Sequence, residues 1–363
     1  EFSDRYIWTD SIWEEPDKMG SLRGISDRDG SCAVNFFSHQ PALNYGFYNP
    51  EKKWQMSTES EAALSTIEEI KNIMRFWLKM GCDGFRVDMA GVLVKNDNEE
   101  KSGTVALWQK IRKFLDEEFP DSAMISEWGE PDKALQGGFH MDFLLHFGPS
   151  HYKEPFFSSR GKGDVSAFVE KYKENYEKSE RKGLICIPSG NHDMDRLERS
   201  IKGDNLKIAF AFLMSVPGAP FIYYGDEIGM RYVENLTSVE GGYDRTGSRS
   251  PMQWDKTLNA GFSLASPEKL YIKQDESDDR PDAESQMTDE NSLYNEIRKL
   301  ISIRRSHSAL GNNSEIEFIY AEKNEYPLAF IRSSEDEKIL VIINPADREV
   351  SFPCEYKPKE VVY

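Results

Sequence analysis

Positive charge is scarce in this chain of 363 residues, because 45 Lys and Arg stand against 63 Asp and Glu and leave a formal net charge of −18. Such an excess repels phosphate groups, so the composition argues against a nucleic-acid partner and against an acidic membrane surface. Long apolar runs are missing as well. The longest, residues 208–224, is broken by Pro217, Gly218 and Pro220 and does not make a continuous membrane-spanning helix.

Cysteine is also rare. The four cysteines (Cys32, Cys82, Cys186 and Cys354) are scattered without the spacing of a metal site or of a disulfide framework. This pattern favours a reducing compartment, and we expect a cytoplasmic protein. No secretory signal is visible, although a chain that opens at Glu1 in the middle of a motif says little on this point.

Three short stretches carry the ionisable residues of interest, each at the end of an apolar run typical of a strand. They are DGFRVD (83–88), ISEWG (125–129) and GNHD (190–193). In the first, the two-residue period of a strand places Arg86 and Asp88 on one face. Parallel strands that all present carboxylates at their carboxyl ends are typical of the catalytic rim of a β/α barrel.

The pattern between these stretches alternates predicted helices and strands. We predict helices at 58–81, 104–119, 165–176, 206–216 and 289–308, and strands at 84–88, 123–127, 138–148, 183–187 and 220–224. The first helix is expected to open at Thr58, with a capping-box spacing to Glu61, and to have one apolar face that comprises Leu64, Ile67, Met74, Trp77 and Leu78. Four short alternating strands follow, at 316–320, 328–331, 339–343 and 350–353, and predict a small antiparallel sandwich. The acidic stretch 275–290 is interpreted as a solvated loop. The fold class is therefore α/β, with a C-terminal β domain.

The motifs resemble those of the α-amylase family, glycoside hydrolase family 13, over nearly the whole chain. Besides the three stretches, the resemblance rests on QPALN (40–44), PGAPFIYYGDEIGM (217–230) and SPMQWDKTLNAGFS (250–263). It implies a (β/α)8 barrel of which strands four to eight are recognisable here. It also implies a loop-rich excursion at 1–57, the second part of the catalytic barrel at 58–311 and a small C-terminal domain at 312–363.

One block of the family is missing from the sequence, namely the Asp and His that follow barrel strand three. We interpret the chain as a fragment of a longer protein; the alternative is that another chain supplies the missing strands. A parallel sheet of five strands would otherwise have two bare edges.

The resemblance implies a retaining glycosidase. Asp88 is the expected nucleophile, Glu127 the expected acid/base, and Asp193 the third carboxylate, which holds sugar hydroxyls. Arg86 is expected to favour the ionised form of Asp88, while the apolar neighbours of Glu127 are expected to raise its pKa. The further substrate-binding residues that the resemblance implies are His192, Arg196 and the already named Arg86.

Other candidates remain open. Arg249 either contacts the sugar or braces a loop, and Asp226 and Glu227 either face the substrate or cap a helix. The chemistry needs no metal or organic cofactor, although structural calcium occurs in the family. The turn SDRDG (26–30) resembles a calcium loop only faintly.

The residues after Asp88 narrow the range of expected substrates. Long-chain α-amylases usually carry Lys and His where this chain has Gly91 and Val92, and DMAG (88–91) resembles the DTAG of maltase-type enzymes. Short α-gluco-oligosaccharides are the expected substrates. Met89 leaves the linkage preference open. Two other functions stay open: a transglucosylase or isomerase of trehalose or sucrose type, and a non-catalytic sugar-binding or subunit protein on the same fold.

Overall fold

The structure, a computed structural model, describes residues 2–16, 19–145, 165–238 and 245–363. The chain divides into two units. Unit 1 comprises Glu1–Asp142 with Lys178–Gly183, and unit 2 comprises Phe143–Glu177 with Leu184–Tyr363. The domain limits predicted from the sequence at residues 57 and 311 stay predictions.

Unit 1 contains two kinds of sheet. Its strands are β1 (Gly20–Leu22), β2 (Cys32–Val34), β3 (Gly84–Val87), β4 (Ala123–Ser126) and β5 (Met141–Phe143), and its helices are α1 (Glu61–Lys79), α2 (Ser102–Glu118) and α3 (Pro131–Gln136). β1 and β2 are antiparallel, whereas β3 pairs with β4, and β4 with β5, in parallel. Each parallel pair is joined through a helix, because neighbouring parallel strands need a long crossover connection.

Helix α1 shows which parts of the sequence pattern hold. Ile67, Met74 and Leu78 are buried as predicted, but Leu64 and Trp77, which were assigned to the same face, are 37% and 48% exposed. The predicted cap at Thr58 is also wrong, because the side chain of Ser60 accepts the hydrogen bond from the backbone N–H of Ala63. A serine one position before the helix satisfies a free N–H group of the first turn.

The core of unit 1 lies between the parallel strands and helices α1 and α2. Ile111 of α2 and Met124 of β4 are fully buried in it. Trp108 packs edge-on against Phe139 with ring centroids 4.8 Å apart, and its indole N–H donates to the carbonyl of Ala90 at 2.9 Å. Helix α2 therefore anchors the segment that directly follows strand β3.

Unit 2 begins inside β5. Its helices are α4 (Val165–Lys178, of which Lys178 belongs to unit 1), α5 (Leu197–Ser200), α6 (Asn205–Ser215), α7 (Ala283–Thr288) and α8 (Leu293–Ser306); its strands are β6 (Leu184–Cys186), β7 (Glu315–Tyr320), β8 (Leu328–Ser333) and β9 (Lys338–Ile343). The backbone of Leu144 donates to Cys186 at 2.8 Å, which aligns the end of β5 with β6. The part of the sixth predicted strand beyond residue 145 lies outside the described residues.

The predicted eighth strand, 220–224, is wrong. Among the described residues it forms only an isolated parallel bridge between Phe221 and Pro188. Pro220 has no N–H group to donate, and the N–H of Tyr223 donates to the hydroxyl of Ser189 instead of a strand carbonyl.

The C-terminal part of unit 2 has one antiparallel sheet, with β8 between β7 and β9. The predicted fourth strand at 350–353 forms no ladder in the described chain, so the structure has a three-stranded sheet instead of a sandwich. The acidic segment 275–290 also differs from its prediction, because it contains α7. Asp282 caps α7, and Ser292 caps α8, which therefore begins later than predicted.

Candidate active site

Asp88 and Glu127 follow the last paired residues of two neighbouring parallel strands. In the register of β3 and β4, Val87 lies opposite Ser126, so the two acidic residues stand at the same end of the sheet. The backbone N–H of Glu127 donates to the carbonyl of Val87 at 2.9 Å, and the N–H of Ala90 donates to the carbonyl of Glu127 at 3.3 Å. These bonds link the two turns that carry the carboxylates.

One guanidinium contacts both carboxylates. Arg86 Nη1 donates to Asp88 Oδ1 at 2.7 Å, and Arg86 Nη2 lies 2.8 Å from Glu127 Oε2. The Asp88 side chain is 72% exposed, whereas that of Glu127 is only 12% exposed. The sequence placed Arg86 beside Asp88; it did not foresee the contact with Glu127, for which an apolar surrounding was expected.

The indole of Trp128 lies against the turn after Asp88. A Cβ atom at Gly91 would fall 2.4 Å from the indole nitrogen of Trp128, so a side chain at residue 91 requires the indole to move. The same nitrogen donates to Glu130 at 3.1 Å. Met89, between Asp88 and this glycine, adopts a left-handed conformation with φ of 48°, which is uncommon for a non-glycine residue and is concentrated at functional sites.

In unit 2, two arginines contact one carboxylate. Asp193 Oδ1 accepts hydrogen bonds from Arg245 Nη1 and, at 2.7 Å, from Arg249 Nη2. Arg249 also donates through Nε to the backbone carbonyl of His192 at 2.8 Å. The His192 ring nitrogen Nε2 lies 3.6 Å from Asp193 Oδ2. Of the two roles open for Arg249, the structure supports the bracing of this loop.

The contacts of Arg196 differ from its predicted role. Its side chain has no exposed surface, and Nη1 donates to the carbonyl of Tyr224 at 2.7 Å and to Asp226 Oδ1 at 3.3 Å. These contacts support the loop, and the predicted contact of Arg196 with substrate stays a prediction.

Asp226 neither faces solvent nor caps a helix. Its carboxylate accepts from the hydroxyl of Ser189 at 2.7 Å and pairs with Arg196 in the interior. Burial raises the pKa of Asp226 to about 6, against the opposing effects of the Arg196 charge and the Ser189 hydrogen bond. The expected capping role is wrong, because the carboxylate binds Ser189 and Arg196 in the interior and not the backbone of a helix.

Sequence reasoning missed Arg245. It lies outside the six motif stretches, directly after residues that the structure does not describe, and no spacing rule ties it to Asp193. Its four-residue separation from Arg249, across a 3₁₀ turn at Thr246–Arg249, was the available signal.

Within the described residues, no group of three or more His, Cys, Asp or Glu side chains is arranged to hold a metal ion. In the SDRDG turn, Asp29 accepts a hydrogen bond from the backbone of Ile12 at 3.3 Å. No helix among the described residues combines the length and the apolar character that crossing a membrane requires.

Comparison with known proteins shows what this chain is similar to. The model of the alpha-amylase catalytic domain matches residues 39–313. Alpha-amylase 3 of Dictyoglomus thermophilum is 27% identical over 367 residues, which cover 100% of this chain and 66% of that protein. The trehalose synthase/amylase TreS of Mycobacterium tuberculosis is 27% identical over 406 residues, which cover 96% of this chain and 63% of that protein. The chain thus spans less than two thirds of these relatives.

A solved structure supports the fold. The crystal structure of an alpha-amylase from H. orenii superposes with a TM-score of 0.67 at 23% sequence identity, and covers 96% of this chain and 65% of that chain. The likeness implies a TIM-barrel catalytic domain, to which the parallel strands and their helices conform, while closure of the barrel stays a prediction. Because the family model matches most of the chain, the protein belongs to the alpha-amylase family through its catalytic domain.

Proposed function

We propose that this protein is a retaining α-glucoside hydrolase that acts on short α-gluco-oligosaccharides. The observation that carries the proposal is the contact of one guanidinium, that of Arg86, with both Asp88 and Glu127. Retaining enzymes hold their two carboxyl groups about 5–5.5 Å apart, whereas inverting enzymes need about 6.5–9.5 Å for a water molecule. Two carboxylates that contact one guanidinium lie near each other, and we infer the shorter separation that retention requires.

The chemistry follows from the two environments. The exposed carboxylate of Asp88 attacks the anomeric carbon, and the bond to the leaving oxygen breaks as Glu127 gives that oxygen its proton. Water then attacks the same carbon and loses a proton to Glu127, the bond to Asp88 breaks, and the configuration is retained. Arg86 stabilises the negative charge of Asp88 before the attack and after release.

We assign Asp193 and His192 to the binding of sugar hydroxyls. Arg245 and Arg249 hold the Asp193 carboxylate, and Arg249 also holds the backbone of His192. A carboxylate fixed in this way keeps its orientation while it accepts hydroxyl protons. We expect no cofactor to take part.

The preference for short substrates rests on Gly91 and Trp128. In long-chain amylases, Lys and His after the nucleophile hold the leaving chain; here the indole of Trp128 fills the space that a side chain at residue 91 would need. The sugar on the leaving side then meets an aromatic wall in place of a cation. The linkage preference is left open by Met89.

A transglucosylase is the second candidate, because one of the relatives at 27% identity is a trehalose synthase/amylase. Transfer and hydrolysis share the covalent intermediate and differ in whether sugar or water attacks it. Product analysis on maltose separates the two, since an excess of disaccharide product over glucose indicates transfer.

Two isosteric variants of the intact protein test the roles. Asp88→Asn and Glu127→Gln are each expected to lower kcat/KM on maltose by at least about 10³-fold, through loss of the nucleophile or of the proton donor. Asp121→Asn, on the exposed turn before β4, is the matched control and should keep full activity. Near-normal turnover in either catalytic variant, or release of β-glucose as the first product, contradicts the proposal.

A further inference from the structure

Asp142, at the middle of β5, has a fully buried carboxylate. Its Oδ1 accepts hydrogen bonds from the hydroxyl of Ser126 at 2.6 Å and from the backbone N–H of Trp128 at 3.0 Å. Its Oδ2 accepts from the backbone N–H of Gly129 at 3.1 Å. These three donors belong to the residues on either side of Glu127.

Burying a carboxylate costs free energy unless hydrogen bonds or opposite charges compensate it. The groups that donate to Asp142 are therefore held close to it. Two of the donors are consecutive N–H groups of the turn after β4, in which Gly129 takes a φ of 79°. Hydrogen bonds to a charged acceptor are about twice as strong as those between neutral groups. The Asp142 carboxylate therefore fixes the backbone from Ser126 to Gly129, and with it the direction in which Glu127 leaves the strand.

We propose that Asp142 is a positioning residue for the proton donor: it orients Glu127 toward the leaving oxygen by holding the backbone on both sides of it. This inference rests on the proposed acid/base role of Glu127. It requires no contact between Asp142 and substrate. Loss of the Asp142 carboxylate should therefore slow the step in which Glu127 gives a proton to the leaving oxygen.

The test compares two substrates that differ in their need for that proton. Maltose has a poor leaving group and requires protonation, whereas the fluoride of α-glucosyl fluoride leaves without it. In Asp142→Asn the amide places an NH2 group against donors that a carboxylate had satisfied, so the turn shifts. We expect kcat/KM on maltose to fall about 10²-fold, as a misplacement of about 1 Å costs, with less than about a threefold change on the fluoride.

Asp97→Asn is the matched control. Asp97 also holds backbone N–H groups in unit 1, those of Gly103 and Thr104 at 3.0 and 2.8 Å, but at the start of α2. Asp97→Asn is expected to lower the midpoint of thermal unfolding, and to change kcat/KM on maltose and on the fluoride by the same factor. An Asp142 variant that merely loosens the fold would behave in the same way.

Ser126→Ala covers the case in which Asp142→Asn does not fold, because it removes one donor and keeps the buried carboxylate. It should lower kcat/KM on maltose several-fold and spare the fluoride. Equal losses on both substrates in the Asp142 and Ser126 variants overturn the inference. Glu127→Gln separates this failure from a failure of the proposed function. If this variant hydrolyses maltose normally, the proposed function is wrong. If it loses activity on maltose and keeps activity on the fluoride, the proposed function stands whatever the other variants do.

Discussion

The two groups of charged residues have opposite ratios of guanidinium groups to carboxylates. In unit 1 one guanidinium, Arg86, contacts two carboxylates; in unit 2 two guanidinium groups, Arg245 and Arg249, contact the single carboxylate of Asp193. Counted over these residues alone and with every group ionised, the first group has one negative charge in excess and the second has one positive charge in excess. The same residue types are thus arranged for different tasks.

The difference has a physical consequence. Where one cation is shared, its hydrogen bonds are divided between two carboxylates, the proposed nucleophile and proton donor. Where two cations meet one carboxylate, hydrogen bonds from both sides hold it in place, as the proposed binding of sugar hydroxyls requires. Loss of a cation should therefore matter more in the first group than in the second.

The largest effect is expected for Arg86→Gln. Without its guanidinium, Asp88 loses the neighbour that stabilises its charge and Glu127 loses the contact that orients it, so kcat/KM on maltose should fall about 10²–10³-fold, the cost of removing one preorganised donor. Arg86→Lys should recover little of this loss, because an ammonium group lacks the planar fork that reaches two acceptors. Arg75→Gln, which breaks an exposed ion pair with Glu118, is the control. A loss below tenfold for Arg86→Gln would mean that the shared contact has no role in turnover.

A smaller effect is expected in unit 2. Arg245→Gln and Arg249→Gln should each lower kcat/KM on maltose roughly tenfold, because the other arginine still holds Asp193. The double variant should lose more than the product of the two single losses, with a coupling free energy of about 0.5–3 kcal/mol for residues that share one partner. A double-mutant cycle measures this coupling, and strict additivity would show that the two arginines act independently.

A further prediction concerns the free energy of unfolding instead of turnover, and involves the buried pair of Arg196 and Asp226. Because burial raises the pKa of Asp226 from its ordinary value of 3.8 to about 6, the folded state keeps a proton that the unfolded state releases between these values. Its contribution to the free energy of unfolding is complete below about pH 4 and is lost as the pH rises to about 6, by about 3 kcal/mol.

Asp226→Asn removes this titration. Urea unfolding of both proteins from pH 4 to pH 7 should therefore give a stability difference that changes with pH up to about 6 and is constant above it. A difference that stays constant throughout would show that Asp226 does not titrate in this range.

Much of the candidate site was predictable. The strand period placed Arg86 and Asp88 on one face, and the apolar run before Glu127 placed that residue at a strand end. Both predictions depend on local alternation, which a strand imposes on any sequence. The predicted eighth strand failed because Tyr223 donates to Ser189, 34 residues away in the chain, and no local pattern reports such a partner.

The burial of Arg196 was not predictable for a related reason. The resemblance identifies the residue type and the position, but exposure depends on which groups surround the side chain, here Tyr224 and Asp226. The same holds for Asp142 and Arg245. Each lies far in sequence from the group it holds.

Residue order and spacing were enough to indicate the family, the element types and the carboxylates at the strand ends, since these follow from short-range periodicity and from motifs a few residues long. Three features depended on tertiary packing: the pairing of arginines with carboxylates, the burial of Arg196, and the hydrogen bonds of Asp142 to residues on both sides of Glu127. Hydrogen bonds and burial join residues that the chain brings together only when it folds.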